Sequence, residues 1–477
     1  MTLKNIIAGL FVASTLIATP VYADSTDDIV NALVGKGVLT EEEGALIQKG
    51  RTGEKSSKDK QMTAKFKDGV TFSDANGDNS LSIGGRIHTD YRNFSHNQPD
   101  DVASIPTNSA NETDTFDMRR ARIEVKGKFA GAYDFLLSTD LAGASAGNTT
   151  SYLDQAYLNY TYTKPLQFRV GQFKLPMNLE KITSSNNTDF MERALVNQLV
   201  ANEDRGMMVH GALPGYTYAV AISNGEGAKN RNDADPRVDK IEYVGRGTVN
   251  FAEIMGDKNA VYHLGASGSW TELSKGTANG YLSGTSSVRT EARGINIFTM
   301  PTITAVNGVH NSIERTRIGL EGAAAYGPVK LQGEYIRNIF KGDLSTTASF
   351  NNDINVWYTE ALWLVTGETY ADSYKEGAWS TIKPKNNFEL GKGTGAVEVG
   401  VRYSKFDASD WKGFTGLSTT ASTTESDSWT AGAKWILNPN TKLMLNYVQT
   451  NFDTPITVGT DQLDKEKAVM ARAQWNF

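Results

Sequence analysis

A transmembrane antiparallel β-barrel of about sixteen strands, all-β apart from a short amino-terminal periplasmic helical segment, is the fold class this sequence predicts. Three observations predict it. Segments in which apolar and polar residues alternate recur from Leu81 to the last residue, and the connections between them are short and long in turn. An export signal stands in front, while no other apolar run approaches the roughly 20 residues of a spanning helix. Composition agrees: Cys is 0, Pro 12, Gly 45 and aromatic residues 10%, as suits a sheet without disulfides. A hydrophobic fraction of 39% and a mean hydropathy of -0.39 are too polar for a helical membrane protein. A barrel tolerates them because only alternate residues face lipid.

In chain order, Met1 to Ala23 has the parts of a secretory signal. Lys4 lies in a short basic start, Ile6 to Ala18 form an apolar core, and Val21, Tyr22 and Ala23 form the cleavage site. Residues 24–67 follow as a periplasmic helical arm and charged tether, with Thr40 as the N-cap before Ala45, Leu46 and Ile47. Asp74 to Ser80 begins like a calcium loop, but position twelve is Gly85 where a bidentate Glu is needed, so it reads as a turn. The barrel domain occupies 68–477.

Its pattern is clearest from Phe116 to Phe129. Ala121, Ile123, Val125, Gly127 and Phe129 fall on one face, and Arg120, Arg122, Glu124, Lys126 and Lys128 on the other. Strands with the same alternation follow near 133–137, 156–162, 166–170, 206–213, 216–223, 241–251, 261–271, 313–326, 329–340, 354–365, 397–406, 429–437, 443–452 and 467–477. Tight joins such as 214–215, 327–328 and 438–440 take turns with long polar ones at 224–239, 272–312, 341–353, 407–427 and 453–466. Residues 177–205 form a long connection of helical character suited to folding inward. Aromatics gather near strand ends, at Tyr160, Tyr162, Trp357, Trp363, Trp429, Trp435, Trp475 and Phe477.

With the apolar parity on lipid, the lumen receives Arg86, Arg92, Arg120, Arg122, Lys126, Arg169, Arg246, Arg315, Arg317, Lys330, Arg402, Lys434 and Arg472, in a chain of formal net charge -6. The two are compatible, since a permeating ion feels charges within a Debye length of roughly 8 Å. Rings of Arg and Lys line pores for anions, and guanidinium suits phosphate because it stays protonated and offers a planar fork of donors. Glu124, Glu242, Glu321, Glu334 and Glu398 share the inner parity, so a solvated ion network is the alternative role for any one arginine.

Several stretches resemble the phosphate-selective porins of types O and P: Gly84-Gly85-Arg86-Ile87 with Asp90-Tyr91, Arg119-Arg120-Ala121, Tyr152-Leu153-Asp154-Gln155-Ala156, Phe168 to Phe173, and Leu179 to Ser185 with Glu192-Arg193. The resemblance implies a sixteen-stranded homotrimer with an arginine ladder, a lysine-rich external funnel and a third loop in the pore. Carried over, it implies a constriction of Arg119, Arg120, Asp154 and Lys181, in which the cations replace phosphate's hydration shell and Asp154 accepts from its protonated oxygen. Strict alternation, however, puts Arg119 with Ala121 and Asp154 with Ala156, so a strand end, bulge or tilt must turn them inward. Arg122 stands where the phosphate porins have tyrosine, and it joins the candidate anion-binding set. The long loops are richer in Ser, Thr and Asn than in Lys.

The expected function is passive uptake of small anions, phosphate or polyphosphate first, across the bacterial outer membrane. No cofactor, metal or nucleic acid enters the reading. A general diffusion porin of the same fold, or a tether between membrane and cell wall, are the alternatives. The 5 His, at 88, 96, 210, 263 and 310, fall in no catalytic pattern, so an enzyme is not expected.

Overall fold

The computed structural model describes residues 30, 33–47, 62–66, 69–95, 114–142, 152–225, 241–274, 287–301, 312–344, 347–458 and 461–477. The expected signal and most of the charged tether lie outside them. In the amino-terminal unit, residues 41–47 are helical, and Thr40 caps them reciprocally: its Oγ1 accepts from Glu43 N at 3.2 Å while Glu43 Oε2 accepts from Thr40 N at 2.9 Å.

Sixteen strands form the barrel: β1 (Ser80–Phe94), β2 (Thr115–Phe129), β3 (Tyr133–Asp140), β4 (Tyr152–Thr163), β5 (Leu166–Lys174), β6 (Glu203–Leu213), β7 (Tyr216–Ser223), β8 (Glu242–Asn250), β9 (Ala260–Ser274), β10 (Ser312–Tyr326), β11 (Val329–Asp343), β12 (Ser349–Leu364), β13 (Ala396–Asp407), β14 (Glu425–Asn438), β15 (Thr441–Val458) and β16 (Asp461–Asn476). Each pairs antiparallel with the next, and β16 closes on β1 from Ala468↔Phe94 to Asn476↔Arg86. Closure removes the sheet edge, which in hydrocarbon would leave rows of backbone groups unbonded. The terminal Phe477 seals the seam by exchanging backbone hydrogen bonds with Gly85 at 2.7 and 3.1 Å. Glycine is required there, since a Cβ would strike the Phe477 ring at 2.7 Å and the Arg122 carbonyl. Below the end of β16, a short strand, Val70–Ser73, pairs with the start of β1.

The outer surface is an apolar belt between aromatic bands. At the loop end, Tyr403 lies 5.5 Å from Trp357 and 4.7 Å from Trp429; at the turn end, Tyr133 lies 4.9 Å from Phe129 and 5.0 Å from Tyr160. Trp357 and Trp363 both face out of β12 and are six residues apart, about 20 Å of strand, which fits an apolar band of about 25 Å.

Two features differ from the sequence pattern. Connections expected to be long, 341–353 and 453–466, are largely strand, because β11 and β15 continue their ladders to Asp343 and Val458 while β12 and β16 begin at Ser349 and Asp461, beyond the belt. Conversely, the turn end is not uniformly trimmed. Residues 365–395 form a strap that folds back into the barrel, with the hairpin Tyr374–Lys375 and Ala378–Trp379 turning at Glu376 and Gly377, φ 48° and 75°. Gly377 O accepts from Arg246 NH2 at 2.8 Å, Tyr374 OH meets His263 Nδ1 at 2.6 Å, and Trp379 Nε1 donates to Gln332 Oε1 at 2.5 Å. The strap therefore fills the lumen beside β8 to β11.

Leu445 faces out of β15 between the two aromatic bands and is more than half exposed. Leu445→Arg is expected to destabilise the barrel by about 2–4 kcal/mol, read as a lower urea midpoint for loss of the heat-modifiable folded band, whereas Leu445→Phe leaves that midpoint unchanged.

Candidate anion-conducting lumen

Because side chains alternate, the inner wall inherits every second residue, and in a closed barrel those residues meet at close quarters. Most of the arginines expected inside are there, and most are paired. Arg246 binds Glu321, with NH2 to Oε1 at 2.5 Å. Arg315 and Arg317 share Glu242. Arg402 reaches Glu291 at 2.9 Å and Glu180 at 3.3 Å, Arg472 binds Asp90 at 2.6 Å, and Arg86 pairs with Glu124. Lys330 and Lys434 pair with Asp189 and Glu398 at 2.7 and 2.6 Å. Arg169 instead stacks over the Tyr157 ring at 4.1 Å, donates to Asn159 at 3.3 Å and makes no ion pair among the described residues. Along β8 to β14 the ladder is thus largely a neutralised network.

The lumen is divided unequally. The connection 175–202 folds inward and is held from both sides. Glu334 accepts from Glu180 N at 2.6 Å and Asn178 Nδ2 at 2.9 Å, and Arg402 NH2 donates to Glu192 O at 2.9 Å. From the opposite wall, Arg86 donates to Ser185 at 3.1 Å and Arg472 NH1 to Met191 O at 2.5 Å. Segment 287–301 also turns inward, and Gln198 exchanges hydrogen bonds with the Arg289 backbone at 2.7 and 2.8 Å. Leu175, Leu195, Val196, Ile297 and Phe298 of these segments pack with Phe340, Phe406 and Trp411 in one buried cluster. Each such side chain contributes about 1.5–3 kcal/mol, so the cluster fixes the loops against one wall.

Among the described residues, a cavity of about 1390 Å³ stays open against β1 to β5, and it is cationic: twelve Lys and Arg side chains line it against six Asp and Glu. All five residues expected at the constriction, Arg119, Arg120, Arg122, Asp154 and Lys181, lie on its wall, with Arg86 and Arg472. Arg169, Arg246, Arg315, Arg317 and Arg402 face the lumen outside this cavity.

Two bulges explain how Arg119 and Asp154 reach it. In the β1–β2 pairing, His88 opposes Arg120 but Thr89 opposes Met118, so Arg119 is an extra residue. Between β3 and β4, Ser138 opposes Gln155 but Thr139 opposes Leu153, which leaves Asp154 extra. An inserted residue lets two successive side chains share one face. Phe116, Met118 and Ile123 keep the lipid side while Arg119, Arg120 and Arg122 crowd the inner one.

Within the site, Arg122 is engaged by Asp140 at 2.9 Å and Asp154 at 2.5 Å. Arg119 is bidentate on Glu192 at 2.6 and 3.0 Å. Arg120 NH1 lies 3.7 Å from Asp140 Oδ2, beyond hydrogen-bond reach. Lys181 Nζ donates to Asn202 at 2.9 Å and lies 3.3 Å from Glu203, and burial lowers its pKa although Glu203 opposes the change. Two carboxyls of the inward loop diverge. Burial pushes Glu180 up to about 7 despite Arg402 and Arg193, whereas Glu192 is held well below the usual range by Arg119, Arg293 and Arg92 although burial opposes them.

Sequence periodicity did not mark Lys174, Arg193, Arg289 or Arg293 as members of the cavity. Lys174 and Arg193 donate to loop carbonyls, Lys174 Nζ to Lys181 O at 3.2 Å and Arg193 NH2 to Thr183 O at 2.7 Å. Arg289 and Arg293 fall in a stretch without alternation, so no parity rule reaches them. Among the described residues there is no group of His, Cys, Asp and Glu that could hold a metal ion.

Comparison with known proteins adds four likenesses. A family model described as "Phosphate-selective porin O and P" matches residues 81–477. Porin O of Pseudomonas aeruginosa is 25% identical over 415 residues, 82% of this chain and 87% of that protein. Among solved structures, the outer membrane channel DcaP of Acinetobacter baumannii superposes with a TM-score of 0.50 at 9% identity, covering 85% of this chain and 99% of DcaP. The anion-selective porin of Comamonas acidovorans gives 0.46 at 13% identity, covering 84% of this chain and all of that one. At such identities the structural likenesses concern the fold alone.

Arg402 is fully buried among Glu180, Glu291 and Glu360. Arg402→Ala strips three buried carboxyls of a shared cation and is expected to cost about 3–5 kcal/mol, seen as a lower denaturation midpoint in detergent and faster proteolysis within 175–202.

Proposed function

The chain belongs to the phosphate-selective porin O and P family, and from that membership we propose that it is a passive, arginine-guided pore for small anions, with phosphate or polyphosphate as its cargo and a homotrimer as its assembly. It is a bacterial outer-membrane anion porin, a channel by family rather than an enzyme. Residues 1–23 act as the export signal, cut after Ala23, and 24–67 as a periplasmic arm to the barrel.

One observation carries the reading: the twofold excess of cationic side chains around the open cavity, beside a β8 to β14 wall whose charges are largely neutralised. A phosphate entering beside Arg120 and Lys181 exchanges water for charge-assisted donors that are already oriented. Arg119 and Arg122 complete the cationic wall. Asp154, fixed by Arg122 at 2.5 Å, offers an acceptor for a protonated phosphate oxygen and tempers the field so that the ion can leave. Arg86 and Arg472 extend the cationic path, and Arg169 continues it on β5 with a guanidinium stacked on Tyr157.

A general anion porin is the second reading. The engagement of Arg122 by two carboxylates favours it, because that guanidinium has less to offer a particular oxyanion.

In planar bilayers under a KCl gradient, the reversal potential is expected to report chloride passing in preference to potassium, and millimolar inorganic phosphate to reduce the chloride current. Arg120→Ala should raise the half-blocking phosphate concentration by about tenfold, the loss of one charge-assisted contact. Preference for potassium would sink the anion reading; chloride preference with no phosphate block would leave the general porin.

A further inference from the structure

We propose that Glu192 is a tethered competitor for the permeating anion: its carboxylate, carried into the lumen by the inward loop, occupies the arginine cluster and thereby limits how tightly the pore holds its cargo. The inference rests on the anion-porin reading and names the residue that sets affinity within it.

The geometry is that of a bound oxyanion. Glu192 Oε1 accepts from Arg119 Nε at 2.6 Å and from Arg92 NH2 at 2.8 Å, with Arg472 NH2 at 3.4 Å. Glu192 Oε2 accepts from Arg119 NH2 at 3.0 Å, with Arg293 NH1 at 3.9 Å. The four guanidiniums come from β1, β2, β16 and segment 287–301, and they converge on one carboxylate from a fifth element. Asp90 bridges Arg92 and Arg472 at 2.9 and 2.6 Å, so two carboxylates face four cations. Structural pairs such as Lys434 with Glu398, or Arg315 and Arg317 with Glu242, lie outside the open cavity. Here the carboxylate lies on the wall of the open cavity itself, where it occupies the bidentate face that Arg119 could otherwise offer a mobile anion.

The cluster is also reachable. Arg119, Glu192, Arg293 and Arg472 all line the open cavity, and the Arg293 side chain is 43% exposed. Glu192 stays ionised, since Arg119, Arg293 and Arg92 outweigh its burial. Conduction requires a site favourable enough to enter and weak enough to leave. A fixed negative charge among the cations supplies the weakness. At about 4 Å a unit charge is worth a factor of about five in affinity even at the dielectric of bulk water.

The test is titration of chloride current with inorganic phosphate in bilayers holding wild type, Glu192→Gln or Glu192→Asp. Glu192→Gln keeps the shape and removes the charge; it should lower the half-blocking phosphate concentration at least about fivefold and raise the chloride-to-potassium permeability ratio. Glu192→Asp withdraws the carboxylate by one methylene and should fall between wild type and Glu192→Gln, which lets it decide alone if Glu192→Gln does not insert. A half-blocking concentration that is unchanged or raised in the inserted variants overturns the inference and makes Glu192 a loop anchor only. Wild-type current that prefers potassium instead defeats the porin reading itself, whatever the variants do.

Discussion

The constraint on which the structure depends is that a chain in hydrocarbon must satisfy every backbone N–H and C=O internally. This chain meets it with a sheet closed on itself, β16 pairing back onto β1. Period two then follows, and with it an outer face of Leu, Val, Phe and Trp and an inner face that inherits the charges. Phe477 and Gly85 show how literally closure is enforced, since the last residue completes the first strand's ladder and no side chain fits beneath its ring.

Closure creates a second problem, because charges turned inward are confined near one another. Over much of the wall the solution is local neutralisation: Glu242 serves Arg315 and Arg317, Glu321 serves Arg246, and Glu398 serves Lys434. The inward loop, segment 287–301 and the strap 365–395 fill that side with a buried apolar core and hydrogen bonds, and they push the open space toward β1 to β5. Selectivity in such a lumen depends on where cations outnumber acids. A count of arginines along the strands does not reveal that.

The fold was legible because alternation is written into every strand. The inner placement of Arg86, Arg169, Arg246, Arg315, Arg317, Arg402 and Arg472 follows from parity alone. Arg119 and Asp154 were not legible from parity, since each is the extra residue of a bulge and a bulge leaves no compositional mark. Only the resemblance of Arg119-Arg120-Ala121 and Leu153-Asp154-Gln155 to a known pattern placed them in the pore, and the register slips supply the physical cause. The strap and the Arg289 to Arg293 stretch escaped for another reason. They are held by tertiary contacts, such as Trp379 on Gln332 and Gln198 on the Arg289 backbone, and carry no period of their own.

Bulges and an inward loop together resolve a conflict inherent in a selective barrel. A strand can present a cation at most every second residue, spaced by nearly 7 Å, which is too sparse to surround an ion. The extra residue at Arg119 places two guanidiniums in succession on one face, and the loop brings Lys181, Glu192 and Arg193 to meet them from the lumen side. Under the proposed function, the cluster by itself is too positive to release an anion readily. Carboxylates from separate elements, Asp140 and Asp154 on the wall and Glu192 on the loop, moderate it at the contacts closest to the open path. Under the proposal for Glu192, the wall supplies attraction and the loop its limit, so changes to the loop retune affinity while leaving the sixteen strands untouched.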